Sequence, residues 1–190
     1  MDALHALHQR VSSPRLSGEV TPSALDNIVR AALRAPDHAQ LRPWRFLTIS
    51  GAAREHLGEL FARARLSEDP SLTPVELEKV KNKPLRAPTL IVAIASTTEH
   101  PKVPEIEQIL STGAAVQNML LAAFAQGVGA MWRTGSLAYN KVVIQGLGLS
   151  EKESIVGFLY LGEPRGNMRT VKELNIKDFI KEWSNHQVTK

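Results

Sequence analysis

The sequence predicts one α+β domain, and three observations carry that reading. Helical segments with a single apolar face recur along the chain, short apolar runs of strand character stand between them, and 190 residues that are 43% hydrophobic and 22% charged suit one core. With no internal repeat and no low-complexity tract, residues 1–190 read as a single unit.

The first helical pattern, residues 2–11, puts Leu4, Leu7 and Val11 on one face and breaks at Ser12-Ser13-Pro14. Arg10, Ser12 and Arg15 are thereby bunched past a helix end, a set of planar donors and a hydroxyl that suits phosphate. Taken alone, a frayed end with solvated arginines is the simpler reading. A second helix opens at Thr21 as N-cap with Pro22 in its first turn, and Leu25, Ile28, Val29, Ala32 and Leu33 form its buried stripe up to Ala35.

The connection that follows, Arg34-Ala35-Pro36-Asp37-His38-Ala39-Gln40-Leu41-Arg42-Pro43-Trp44, leads into a strand at residues 45–50. Its prolines leave the backbone little freedom, and it packs donors and a flat ring into a short span. Such a loop can hold a planar, electron-rich or anionic ligand. It can equally be a turn in which Trp44 plugs the core and the charges are solvated.

After Gly51, a helix with Leu57, Leu60, Phe61 and Ala64 on one face leaves Arg54, His56, Arg63 and Arg65 as solvent-side charge. Residues 66–83 have little to bury beyond Val75, Leu77 and Val80, in a short helix begun by Thr73-Pro74, and read as a mobile cover. Residues 89–95 are continuously apolar, as in a central strand covered on both faces.

Residues 104–126 form the longest helical pattern, apolar nearly all round its middle and rich in small residues, so that it must be enclosed by other helices or another subunit. Gly127 ends it, and residues 128–135 run as a strand into a turn. Trp132 and Arg133 sit at that strand end. They suit ligand contact, or core filling by Trp132 with Arg133 on a carboxylate. A weak helix at 140–147 and a capping-box pattern of Ser150 with Glu153 precede the fourth strand, residues 155–161. Beyond Pro164 the tail has few apolar anchors besides Ile176, Phe179, Ile180 and Trp183, and should lie against something else, such as a partner chain.

The formal charge of +4 is spread along the chain rather than blocked, and aromatics, 5% of residues, are not interleaved with a basic stripe as a nucleic-acid surface would need. No cysteine is present, so no disulfide, thiolate nucleophile or cysteine-held metal is available. The N-terminus lacks a signal-peptide pattern and no apolar run spans a bilayer, which leads to the expectation of a cytoplasmic protein without nucleic-acid or membrane partners. Gly-x-Gly-x-x-Gly after a strand, the P-loop and Gly-x-Ser-x-Gly are all missing. His5 and His8 at helical spacing lack a third ligand, so no metal site is expected. Asp37-His38 lacks a nucleophile, while Glu99, His100, Glu105 and Glu107, like His56 and His186, read as solvated.

Taken in order, Met1-Asp2-Ala3-Leu4, Arg10-Val11-Ser12, Arg34-Ala35-Pro36-Asp37-His38, Pro43-Trp44, Lys102-Val103-Pro104, Ala125-Gln126-Gly127, Trp132-Arg133-Thr134-Gly135 and residues 155–162 resemble the nitroreductase family of FMN-dependent NAD(P)H oxidoreductases, in its short YdjA-like type. The likeness runs to about Pro164. It implies a mostly antiparallel sheet flanked by helices, in an intertwined homodimer with two FMN sites at the subunit interface. By this resemblance Arg10, Val11 and Ser12 bind FMN from one subunit, Arg34 and His38 reach it from the other, and Trp132, Arg133 and Thr134 complete the contact. Ala122, Ala123, Phe124, Ala125, Gln126 and Gly127 correspond to a stretch associated with NAD(P).

The flavin carries the chemistry, so no catalytic side chain is expected. The implied reaction is reduction of nitroaromatics, quinones or similar flat acceptors by alternating hydride transfer. Val11 and Arg42 depart from the family pattern, which has a second basic residue and a glutamine there. The alternatives are a flavin enzyme of the same fold that dehalogenates or reduces activated alkenes, and a non-catalytic flavin- or nucleic-acid-binding protein.

Overall fold

The computed structural model describes residues 1–167 and 169–183. Six helices, α1 (Ala3–Gln9), α2 (Pro22–Ala32), α3 (Ala53–Glu68), α4 (Pro74–Lys81), α5 (Glu105–Ala125) and α6 (Lys141–Gly146), surround the strands β1 (Leu16–Ser17), β2 (Trp44–Ser50), β3 (Thr89–Ser96), β4 (Gly129–Arg133) and β5 (Glu153–Pro164). Every strand pairing is antiparallel, in the order β1-β5-β3-β2, with β4 also on β5. The α+β class and the antiparallel sheet stand as expected.

Period-two alternation divides the core between the two faces of this sheet. Leu90, Val92 and Ile94 of β3 join Phe158 and Tyr160 of β5 under α3 and α6. Ile91, Leu159 and Leu161 face the other way, against Ile28 and Ala32 of α2 and Ala115, Met119 and Ala123 of α5. β3 is thus covered on both sides. Phe61 meets Phe158 edge to face, with centroids 5.4 Å apart, an arrangement worth about 1 kcal/mol beyond its burial.

Several local expectations are corrected. α1 stops at Gln9, capped at its start by the Asp2 carboxylate, and its leucines are not covered by this chain: Leu4 is 64% and Leu7 53% exposed. The helical pattern was there, but an apolar face needs something to pack against, and α1 shows only Ala6 to the core. α2 ends at Ala32, and Leu33 is exposed. β1 was not foreseen, because two residues are too few to show alternation; it pairs Leu16 with Pro164 and Ser17 with Glu163.

Ser150 and Glu153 cap no helix. The Ser150 amide donates to the Glu153 carboxylate in the turn that starts β5. The segment expected as a cover contains α4, closed by a reciprocal capping box of Thr73 and Glu76, and it docks on α3 where Gly58 meets the carbonyl of Lys81. Arg54 is not purely solvent-side, since its guanidinium donates to the Ala87 carbonyl. In the tail, Ile176, Phe179, Ile180 and Trp183 are all exposed on this chain. His186 lies outside the described residues.

Candidate functional site

The connection between α2 and β2 is built as a strained, anchored loop. Ala39, Gln40 and Arg42 all have positive φ (61°, 54° and 51°), a backbone region that non-glycine residues enter only where the surroundings impose it. The Asp37 carboxylate is one such constraint, accepting the amides of Leu41 at 3.2 Å and Arg42 at 2.7 Å. α5 supplies the rest from one polar face. Glu107 Oε2 lies 2.8 Å from Nδ1 of His38, the Ser111 hydroxyl donates to the Pro36 carbonyl, Thr112 Oγ1 donates to the Pro43 carbonyl at 2.8 Å, and Asn118 donates to Ala31 O at 3.1 Å. The loop borders a cleft of about 580 Å³ lined by Arg34, Asp37, Gln40, Arg42 and Trp44, with Leu33 and Ala35.

Arg10 is the C-cap of α1, and the backbone just beyond it is tied to β4 by Ser13 N donating to Ala130 O at 2.9 Å. Arg10 and Val11 share a mostly apolar cavity of about 210 Å³ with Leu120, Phe124, Gly127 and Val128. The Ala122–Gly127 stretch therefore reaches this cavity through Phe124 and Gly127. Ala123 is fully buried, and Gln126 is occupied, its amide nitrogen on Ala122 O and its oxygen on Asn27.

Trp132 and Arg133 point to opposite faces of β4, as neighbours on a strand must. Trp132 packs toward α5 and α2, with its indole N–H on the Val156 carbonyl at 3.3 Å. Val156 is the extra residue where β5 shifts register against β3, between Ala93–Gly157 and Ile94–Ile155. Among the described residues Arg133 is paired with no carboxylate; its guanidinium stands 5.4 Å over the Tyr160 ring. Arg133 and Thr134 share a pocket of about 190 Å³ with Lys83, Arg86, Ser136 and Tyr160. Burial pushes the Lys83 ammonium below its usual range, helped by repulsion from Arg65 and Arg86. Burial also raises the Tyr160 phenol, against the pull of Arg133 and Arg86.

The charges divide in a telling way. Arg30, Arg45, Arg65, Lys81 and Arg165 all stand on carboxylates, whereas among the described residues Arg10, Arg34, Arg42, Lys83, Arg86 and Arg133 pair with none. Those six line the three cavities, and away from them Arg15, Arg54 and Arg63 likewise have no carboxylate among the described residues. Within one chain the cavities stay distinct: the loop cleft shares no lining residue with the cavity at Arg10 or the pocket at Arg133. Lys83, Arg86 and Glu107 were not read as site residues. Glu107, Ser111 and Asn118 do fall at helical spacing, among other polar residues such as Gln108, Thr112 and Gln117. Among the described residues no His, Asp and Glu group is placed to hold a metal, and none of the helices is long and apolar enough to cross a membrane.

The comparisons with known proteins bear on the same region. The model of the Nitroreductase family matches residues 16–163. The Escherichia coli (strain K12) protein YdjA, provisionally named an NAD(P)H nitroreductase, is 40% identical over 182 residues, 94% of this chain and 96% of its own. Among solved structures, a nitroreductase-like family protein from Bacillus cereus superposes with a TM-score of 0.82 at 24% identity, covering 96% of each chain. A nitroreductase from Desulfovibrio desulfuricans, again so named provisionally and crystallised with FMN, gives 0.72 at 24% identity over 95% of this chain and 96% of that one. At such identities the structures speak for the fold alone, but the family model spans most of the chain and the sequence relative nearly all of it. This chain belongs to the Nitroreductase family.

Proposed function

We propose that this protein is an FMN-dependent NAD(P)H oxidoreductase that works as a homodimer and reduces nitroaromatics, quinones or similar flat acceptors. The observation that carries the reading is that three cavities are each lined by cations with no carboxylate partner among the described residues: Arg34 and Arg42 at the loop, Arg10 past α1, and Lys83, Arg86 and Arg133 beside Tyr160. Cations free of carboxylates beside a cavity are available to an anionic ligand, and a phosphorylated, electron-rich ring system is such a ligand. The donor types suit it: Arg10 offers a guanidinium fork at its cavity, with the Ser12 hydroxyl two residues on though not in that cavity's lining, and Arg34 and Arg42 offer cations at the loop cleft, with the His38 imidazole on the same loop.

Bound FMN would accept hydride from NAD(P)H and pass reducing equivalents to the acceptor. The chain's own residues bind and orient. Arg10 and Ser12, with Val11 between them, hold the phosphate end from one subunit, and Arg34 and His38 reach in from the other. Arg133 and Thr134 face the ring, with Trp132 contributing through its backbone because its indole packs on the α2 and α5 side of the sheet, and Lys83 and Arg86 add positive charge where reduction deposits negative charge. Contact with NAD(P)H narrows to Phe124, Gly127 and nearby backbone, since Ala123 is buried and Gln126 engaged.

The dimer reading is supported by large apolar side chains that this chain leaves open: Leu4, Leu7, Ile106 and Leu110 on its helices, and Phe179, Ile180 and Trp183 in the tail, which we take to pack on the partner. The test is direct. The purified protein should be yellow or bind added FMN, elute as a dimer, and show flavin bleaching with NADH or NADPH that a nitroaromatic or quinone reverses. A monomer that takes up no FMN would overturn the proposal, and bleaching reversed only by a haloaromatic or activated alkene would move it to the alternative chemistry.

A further inference from the structure

Glu107 opens the first turn of α5, and its carboxylate is 2.8 Å from Nδ1 of a histidine 69 positions earlier in the chain. The contact is specific to one edge of the ring. His38 is 59% exposed at its side chain, and among the described residues its Nε2 has no hydrogen-bond partner. The nearest alternative acid, Asp37, is committed to the Leu41 and Arg42 amides. The neighbouring α5 side chains, Ser111 and Thr112, grip the loop backbone at Pro36 and Pro43 and leave the imidazole to Glu107.

An imidazole with a carboxylate on Nδ1 has its proton held there, in the neutral as in the charged ring, and Nε2 becomes the nitrogen that faces a ligand. From this geometry we infer that Glu107 is a positioning residue: by taking the Nδ1 proton of His38 it sets the tautomer and the angle of the ring, and so presents Nε2 to the ligand of the α2–β2 loop. The inference rests on the flavin reading for the identity of that ligand, but the contact and its effect on the ring belong to this chain alone. The strained loop needs such a brace, because three positive-φ residues leave its backbone ready to relax if one anchor goes.

Two measurements test this, one of them without FMN. In histidine-15N-labelled, FMN-free protein at alkaline pH, the His38 ring, assigned by its loss in His38→Ala, should show a protonated Nδ1. In Glu107→Ala it should revert toward the Nε2–H form that a free neutral imidazole prefers. FMN affinity, read from quenching of flavin fluorescence, should fall on the order of tenfold in Glu107→Ala and in His38→Ala, with the double variant no weaker than His38→Ala. Glu107→Gln keeps the shape and a neutral acceptor, so it should fold if Glu107→Ala does not and should lose less affinity. An unchanged His38 tautomer in Glu107→Ala, additive losses in the double variant, or a larger loss in Glu107→Gln than in Glu107→Ala would overturn the assignment. Failure of the wild type to bind FMN would instead sink the flavin reading, while the ring spectra still decide the role of Glu107.

Discussion

The indole of Trp132 occupies the space that a side chain at Gly157 would need: a Cβ built there would lie 2.0 Å from Nε1 and 3.0 Å from the Arg133 carbonyl. The bulge at Val156 and the bare glycine after it together seat the tryptophan on the sheet. Gly157→Ala should therefore destabilise by about 1–3 kcal/mol, the usual cost of overpacking. Adding Trp132→Leu should recover part of that loss, because it removes the ring that the new methyl meets. Thermal or urea unfolding of the two single variants and the double one checks the coupling, and simple additivity would count against it.

Arg45 of β2 joins Glu153 at the start of β5 through Nη2 and Oε2 at 2.9 Å, and the Glu153 side chain is only 8% exposed. The Arg45 guanidinium, with help from the Ser150 amide, lowers the Glu153 carboxyl to about 2. A carboxylate depressed in the folded state stabilises above its unfolded pKa, and that stability is lost as pH falls through the folded one. The window runs from about 4.5 down to about 2. Because Arg45 is 35% exposed, solvent screens the pair, and a contribution of about 1–2 kcal/mol is expected. Glu153→Gln should flatten the acid limb of an unfolding profile measured across this range and leave the profile's shape above pH 5 unaltered.

Ala39 holds φ at 61° in a region closed to β-branched side chains. Ala39→Val should cost about 1–3 kcal/mol, whereas Ala39→Gly should change stability little, relief of strain offsetting the entropy of glycine. Comparable melting temperatures for the two variants would show that the loop backbone is not constrained as described.

If Arg10 and His38 serve one flavin from different subunits, variants deficient in each should complement. Arg10→Ala and His38→Ala dimers, unfolded and refolded together, should recover FMN sites of wild-type affinity that neither has alone, approaching roughly a quarter of all sites on random mixing. Flavin content after gel filtration measures it, and no recovery in a mixed dimer would argue that both residues act within one subunit.

Much of the architecture is legible in the sequence. The β3 run, the one-faced α3 and the Thr21-Pro22 start of α2 each declare themselves within a dozen residues, because periodicity and capping are local properties. The cationic loop was also legible as a place of interest, though not as a strained one. Its positive φ values accompany the Asp37 carboxylate on the Leu41 and Arg42 amides and anchors from α5 at either end of the loop, and the latter are not encoded in local propensity. β1 and the bulge at Val156 escaped for the same reason, since both exist only through pairing with another strand.

By itself the sequence determined the element types, the helix starts, the double-sided burial of β3 and the family to which the chain belongs, all of which depend on order and spacing along the chain. Only the tertiary structure decided which cations keep a carboxylate and which do not, and that Glu107 stands on His38 at a sequence separation of 69. A side chain's partner is fixed by where α5 crosses the loop, and that crossing is a consequence of how the whole core packs.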